Sequence, residues 1–352
     1  MRWRGEYLSG VPAALLDLQD HPQVTGIEQI IHLPDSDTRV TFVDHHLSHA
    51  ANAFLLSPFA DAAILTADGR GEEETCTFCV GHENRIEKLH SVMLPHSIGL
   101  LYGVITEFLG FRPHSDEWKV MALASYGKVK GNKYRSLVRS LIELYADGSF
   151  EMDLSYFTYY MFDNKPKMYN SKLVELLGPA RRRDEPIEQR HYDIAIAMQQ
   201  VFEETFTHML TRLHEETGLP NLAFSGGCVM NSVYNGKVLD DTPFKDMYVS
   251  YAPADLGNSI GGALYFAHCV FDEPRDFSFQ TSLIGPQFTD ETIEATLTRR
   301  SITYERLQDP ASSVAKLLSE GEIVAFLNGR MEFGERALGN RSILADPRDA
   351  TA

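Results

Sequence analysis

The run Asp44-His45-His46-Leu47-Ser48-His49 concentrates groups that can do chemistry. His45 and His49 are four apart, so a helix over this stretch puts both imidazoles on one face, with Cβ atoms roughly 5–6 Å apart. That is the spacing of two adjacent metal ligands. A capped helix start fits the same run, with Asp44 or Ser48 as cap and the histidines packed or exposed. No glutamate follows the first histidine, so the H-E-x-x-H protease pattern fails. His46 points elsewhere on the helix and reads as structural or as a contact to substrate. Asp68 and Asp255 each follow a strand-like run and lie near glycines, in Ala67-Asp68-Gly69 and Asp255-Leu256-Gly257. Singly, each reads as a turn residue. Taken with His45 and His49, they form a His2Asp2 set suited to iron(II), manganese or zinc.

Three further segments invite a ligand. Ser225-Gly226-Gly227-Cys228-Val229-Met230-Asn231-Ser232 sets two glycines between a strand and a helix. Backbone N–H groups can approach a phosphate there, and Asn231 can reach a nucleotide sugar or a carbonyl oxygen. Close packing of helix on strand is an equal reading, also for Gly257, Gly261 and Gly262. In Glu117-Trp118-Lys119, the lysine can neutralise a phosphate and the glutamate can hold a ribose hydroxyl, or the two form a surface ion pair. Arg330, Arg336 and Arg341 fall within twelve residues, with Ser342 beside them. Guanidinium forks suit planar oxyanions and phosphates, so this cluster in an acidic chain reads as an anion site.

The elements that must position these groups alternate between strand and helix. The first 40 residues read as polar loops and a short helix, followed by a brief strand at Val40–Val43. Ser48–Leu56 reads as helix, Ala62–Thr66 as a buried strand closed by a turn, and Thr75–Val80 with Ile86–Val92 as a meander. Ile98–Leu109 is an amphipathic helix ended by Gly110. A long helix spans Ile187–Thr217, followed by strands at Leu222–Phe224 and Met247–Tyr251 and a helix at Ser259–Phe271. A Pro- and Asp-rich linker is expected from about 272 to 290, then a helix at Ser312–Gly321 and a strand at Ile323–Leu327. Residues from about 129 to 185, rich in Tyr, Lys and Arg, read as an insertion with its own surface, a candidate lid. The order implies an α/β sheet whose sites gather at the carboxyl ends of strands, around Asp68, Ser225-Gly226-Gly227 and Asp255.

Composition narrows the classes. In 352 residues, Lys plus Arg number 32 and Asp plus Glu 49, a formal net charge of −17. That argues against holding nucleic acid by general phosphate attraction and against docking on an anionic membrane. No apolar run approaches a membrane span, and the start holds no secretory signal. Four cysteines do not make a disulfide scaffold, and the lone Cys76-x-x-Cys79 sits where strand geometry turns the two to opposite faces. A cytoplasmic setting follows.

Asp44–Ala51, Leu65–Glu72, Pro95–Tyr102, Ser225–Cys228 with Asn231, and the Gly329–Arg348 cluster together resemble the ATP-dependent O-carbamoyltransferases, which include the nodulation-factor, cephalosporin and tobramycin enzymes. The resemblance runs in order from about Thr41 to Arg348. It implies an actin/hexokinase/Hsp70-like transfer domain similar to the tRNA threonylcarbamoyl-transfer subunit, over 1–290. It implies the beginning of a threonylcarbamoyl-adenylate-synthase-like domain over 291–352. It further implies that carbamoyl phosphate and ATP, with Mg2+, give carbamoyl-adenylate, whose carbamoyl group passes to a hydroxyl of a sugar or secondary metabolite. His45, His49, Asp68 and Asp255 match the family's metal ligands. Ser225, Gly226, Gly227 and Asn231 match its nucleotide loop. Arg330, Arg336, Arg341 and Ser342 match the motif opening the adenylate-forming domain. A homodimer is a family-level expectation. The resemblance also implies that the opening phosphate loop and most of the second domain are missing, so an impaired nucleotide- or metal-binding fragment is the alternative. Asp116, Ser125 and Arg70 stand where the family more often has Gly, Pro and a small apolar residue.

Overall fold

A computed structural model describes residues 28–33, 36–161, 167–275 and 281–348. The chain divides into two compact units, Met1–Asp276 and Phe277–Ala352. The division falls inside the linker read from sequence at about 272–290. Most of the loops and the short helix expected before residue 40 lie outside the described residues. Within them, β1 (Glu28–Leu33) and β2 (Ser36–Thr41) pair antiparallel, so the expected strand ends at Thr41 rather than Val43.

Helix α1 (His45–Leu56) follows, then β3 (Asp61–Ala67), β4 (Glu74–His82) and β5 (Arg85–Met93). Next come α2 (Ile98–Phe108), α3 (Glu117–Ala124), α4 (Lys133–Arg139), the small hairpin β6 (Ile142–Leu144) and β7 (Phe150–Met152), and α5 (Ser171–Leu177). The 29-residue helix α6 (Gln189–Thr217) leads into β8 (Asn221–Ser225) and β9 (Asp246–Val249). Helix α7 (Asn258–Leu264) continues as a π-helical stretch, Tyr265–Val270. The main sheet runs β5-β4-β3-β8-β9. The three strands of the meander are antiparallel, whereas β3, β8 and β9 are parallel to one another.

Alternation along β3 divides the interior. Ala63, Leu65 and Ala67 join one core with Cys76, Phe78, Leu222 and Phe224. Ala62 and Ile64 face a second core with Cys79, Ala223, Phe54 and Leu55. The period of two thus turns β3, apolar on both faces, into the wall between two layers. Helices α2 and α6 cover the first face. In α6, Ile194, Met198, Val201, Phe202, Phe206, Met209 and Leu213 recur at helical spacing. Its start carries a capping box between Glu188 and His191, and Gly218 at φ 66° ends it. Helix α1 is buried on nearly every side and lies on the second face. Its Phe54 and Leu55 each contribute about 1.5–3 kcal/mol by leaving water. Arg275 closes the C-terminal end of α1, donating to the carbonyls of Phe54 and Ser57 at 3.0 and 2.9 Å and lying over the Phe54 ring.

The segment from 129 to 185 does not stand on a surface of its own. Tyr134, Val138, Leu141, Phe150, Phe157, Tyr169 and Leu173 are buried in the same core as α6. Its aromatic residues are core anchors, which their polar neighbours disguise in the sequence. Cys76 and Cys79 are free, fully buried thiols on opposite faces, and burial pushes Cys79 up to about 12.

In the second unit, α8 (Asp290–Arg299) begins where the linker was expected to end. Then α9 (Pro310–Ser319), β10 (Val324–Leu327) and β11 (Arg341–Leu344) follow, the two strands pairing antiparallel. Among the described residues, no helix is long and apolar enough to cross a membrane.

Candidate metal centre

Asp44 settles how α1 begins. Its Oδ1 accepts from the Leu47 N–H at 2.9 Å, so the helix starts at His45, not Ser48. The first turn then brings His45 and His49 together, with Nε2 atoms 3.1 Å apart. His46 turns inward and is structural. Its Nε2–H donates to the Glu74 carbonyl at 3.0 Å, which leaves Nδ1 to accept from the Thr66 hydroxyl at 2.7 Å. Thr66 in turn accepts from Thr77 at 2.6 Å. Burial, reinforced by His49 and His45, pushes His46 down to about 3, so the ring is neutral. This buried chain pins the start of α1 to β3 and β4.

Asp68 follows the last residue of β3. Its Oδ1 accepts from the Gly69 N–H, and Oδ2 accepts from the Gly227 N–H at 3.1 Å. Gly227 comes from the loop after β8, next to β3 in the sheet. That loop needs Gly226, whose φ is 107° and where a Cβ would lie 2.1 Å from the Ala67 carbonyl oxygen. The Gly226 N–H and the Ser225 hydroxyl both donate to the Pro253 carbonyl, at 2.7 and 2.9 Å, drawing the Asp255 loop against the same strand ends.

Asp68 Oδ2 lies 3.0 Å from His49 Nε2 and 3.6 Å from His45 Nε2, and Asp255 Oδ1 lies 3.4 Å from each. All four donor atoms fall within 4.8 Å of one another. Ligands bound at about 2.1 Å in cis or tetrahedral positions stand about 3.0–3.4 Å apart, so the donor set fits one divalent ion with modest adjustment. Burial alone would raise the Asp68 pKa, but hydrogen bonds with His45, His49 and Gly227 outweigh it and hold the carboxyl well below its usual range. Burial would likewise lower His49, but its bonds to Asp255 and Asp68 prevail and raise it. Asp68 is largely covered, whereas the Asp255 side chain is 74% exposed, which leaves the group open on that side.

The other sequence candidates separate. Ser225, Gly226 and Gly227 lie beside Asp68. Asn231 commits its carboxamide to the protein. It exchanges hydrogen bonds with Gln199 at 2.9 and 3.1 Å, and its Oδ1 accepts from the Tyr234 N–H. Glu117 accepts from the His114 N–H at 2.6 Å. Lys119 pairs with Asp116 at 3.0 Å, three residues away, and not with Glu117, because residues two apart on a helix point to different sides. Arg330 and Arg336 are exposed, and Arg341 donates to the Gly334 carbonyl at 2.8 Å. Ser342 accepts from the Gly339 N–H at 3.0 Å. These four belong to the second unit. Two residues at this candidate centre escaped sequence reasoning. Asn258 Nδ2 lies 3.4 Å from His49 Nε2, and Glu72 Oε2 accepts from the His45 N–H at 3.2 Å. Both reach the site through tertiary contacts that no local spacing announces.

Against this geometry stand the comparisons with known proteins. The model for the carbamoyltransferase N-terminus matches residues 25–264, and that for the carbamoyltransferase C-terminus matches 315–352. The chain belongs to the carbamoyltransferase family. It is 39% identical over 320 residues to the uncharacterized protein sll1178 of Synechocystis sp., covering 88% of this chain and 51% of that one. It is 35% identical over 317 residues to the nodulation protein NolNO of Sinorhizobium fredii, covering 89% and 44%. With the nodulation protein NolO of Bradyrhizobium diazoefficiens the identity is 31% over 318 residues, covering 88% and 54%. The chain thus spans about half the length of these curated relatives. Among solved structures, T. kodakarensis HypF matches at a TM-score of 0.35 with 16% identity, over 66% of this chain and 37% of that one, a likeness too slight to carry an argument.

Proposed function

We propose that this chain carries the transfer site of an O-carbamoyltransferase, moving a carbamoyl group from carbamoyl-adenylate to a hydroxyl of a small molecule. The observation that carries the reading is the convergence of His45, His49, Asp68 and Asp255 from three separate chain segments onto one point. Iron(II), manganese and zinc all suit such a donor set. A bound ion supplies Lewis-acid polarisation of a carbonyl oxygen.

The chain's own residues do the positioning. Gly227 and Gly69 fix both oxygens of Asp68, so the carboxylate cannot rotate away from the histidines. Ser225, Gly226 and Gly227 shape the loop at the carboxyl ends of β3 and β8, but their donors are spent on Pro253 and Asp68, so this loop serves an adenylate by placing Asp68 and not, as the sequence suggested, by offering the Gly226 and Gly227 N–H groups to its phosphate. In the transfer, the acceptor oxygen bonds to the carbamoyl carbon, the carbon–phosphate oxygen bond breaks, AMP leaves, and the hydroxyl proton passes to a base. Asn231 acts through the loop it caps, since its amide is already engaged. Arg330, Arg336, Arg341 and Ser342 serve carbamoyl phosphate, and ATP with Mg2+ forms the adenylate in the second unit. The sheet order, with an antiparallel meander flanked by two parallel strands, supports assigning the first unit to the actin/hexokinase/Hsp70-like superfamily.

Incubation with labelled carbamoyl phosphate, ATP and a panel of alcohols tests the reading. The expected result is a labelled carbamate ester and AMP, both lost in His49→Ala. Equal ester formation by His49→Ala would refute the assignment.

A further inference from the structure

A polar residue interrupts the apolar face of α6. Gln199 is only 2% exposed, flanked by Met198 and Val201 in the core that α6 shares with α2. A buried amide is costly unless its groups find partners. Gln199 fills all four of its hydrogen-bonding positions. Its Oε1 accepts from the Tyr102 hydroxyl at 3.0 Å and from Asn231 Nδ2 at 2.9 Å. Its Nε2 donates to Asn231 Oδ1 at 3.1 Å and to Glu203 Oε1 at 2.9 Å. Glu203 fixes the orientation. Turning the amide over would set its oxygen against the Glu203 carboxylate and against Asn231 Oδ1. Asn231 is fixed from its other end, because the Tyr234 N–H donates to the same Oδ1 at 3.1 Å.

Asn231 closes the turn Gly227–Met230, and its own N–H donates to the Cys228 carbonyl at 3.1 Å. The first residue of that turn holds Asp68 Oδ2. A polar chain therefore runs from Glu203 through Gln199 and Asn231 to the turn that supports Asp68. Resting on the transfer-site reading above, we infer that Gln199, oriented by Glu203, is a positioning residue of that site: it holds the Gly227 turn so that Asp68 keeps its place beside His45 and His49. Gln199 and Glu203 act at a distance, since neither belongs to the donor set. Lys237 supplies a contrast. It lies beyond Asn231 in the same stretch of chain and donates to both oxygens of Glu203 at 2.8 Å. A plain tether between α6 and this stretch would depend on that ion pair. Orientation of Gln199 needs the Glu203 carboxylate and not the lysine.

The test is Mn2+ titration of the full chain, read by electron paramagnetic resonance, beside calorimetry of the same samples. Gln199→Met keeps the length of the side chain and removes both bonds to Asn231. It is expected to weaken Mn2+ binding about tenfold, the lower end of what the loss of an outer partner costs. Glu203→Met leaves Gln199 in place but free to turn over, and should weaken binding about threefold, half the first effect on a logarithmic scale. Lys237→Met should leave the affinity unchanged. A lower melting temperature in Gln199→Met and Glu203→Met, with Mn2+ affinity unaltered in both, would make the network a staple of the core and overturn the inference. So would Lys237→Met weakening binding as much as Glu203→Met. If Gln199→Met does not fold, Glu203→Met and Lys237→Met decide, because both alter a part-exposed pair. Absence of Mn2+ binding to the unaltered chain overturns the metal reading and this inference together.

Discussion

Asp68→Asn is expected to lower divalent-metal affinity by at least about 100-fold, because the loss of an outer partner alone costs 10–100-fold and Asp68 is a direct ligand in this account. The geometry makes the effect specific. Of the other three donor atoms, Asp68 Oδ2 lies nearest His49 Nε2, at 3.0 Å, and Gly227 holds it in place. An asparagine keeps the size but removes the charge, and its amide must turn an NH2 either toward the two histidines and the Gly227 N–H or toward the Gly69 N–H. Neither orientation rebuilds the site. A Mn2+ titration followed by electron paramagnetic resonance reads the change directly. Affinity within threefold of the unaltered chain would remove Asp68 from the ligand set.

Gly261→Val is expected to cost about 3 kcal/mol or more, beyond ordinary overpacking, because the obstacle is backbone and not a flexible side chain. A Cβ at Gly261 would lie 1.9 Å from the Ser48 carbonyl oxygen and 3.0 Å from the Asn52 nitrogen. Helices α1 and α7 touch there without an intervening side chain, and parting them drags His49 away from Asp255. Calorimetry should therefore record a lower melting temperature, by about 5–10 °C. Metal affinity should fall with it. Gly262→Ala, one residue on, where a Cβ meets nothing nearer than 3.8 Å, should melt at or slightly above the original temperature. Equal melting of Gly261→Val and the unaltered chain would mean that the two helices do not meet at this glycine.

How far the sequence reveals this site depends on the range of the contacts. His45 and His49 are legible because helical spacing places them together by local geometry. Asp68 and Asp255 are legible because each lies beyond a strand, where a parallel sheet gathers its loops. The buried strand at β3 is legible as an apolar run between turn signals. Other features rest on interactions that local pattern does not encode. Lys119 chose Asp116 because of its place on the helix, although Glu117 is nearer in sequence. Asn231 looked free, but Gln199, thirty-two residues away, engages its amide. Phe157 and Tyr169 stand among polar residues that suggest surface, yet both are buried against the main core. Glu72 and Asn258 reach the site only after the chain has folded.

The proposed transfer site depends on His45, His49, Asp68 and Asp255 holding one ion. The most direct test is the divalent-metal content of the chain purified without oxygen, measured beside a His45→Ala/His49→Ala variant of equal helical content. About one metal per chain is expected in the first and none in the second. No metal in either, or the same content in both, would contradict it.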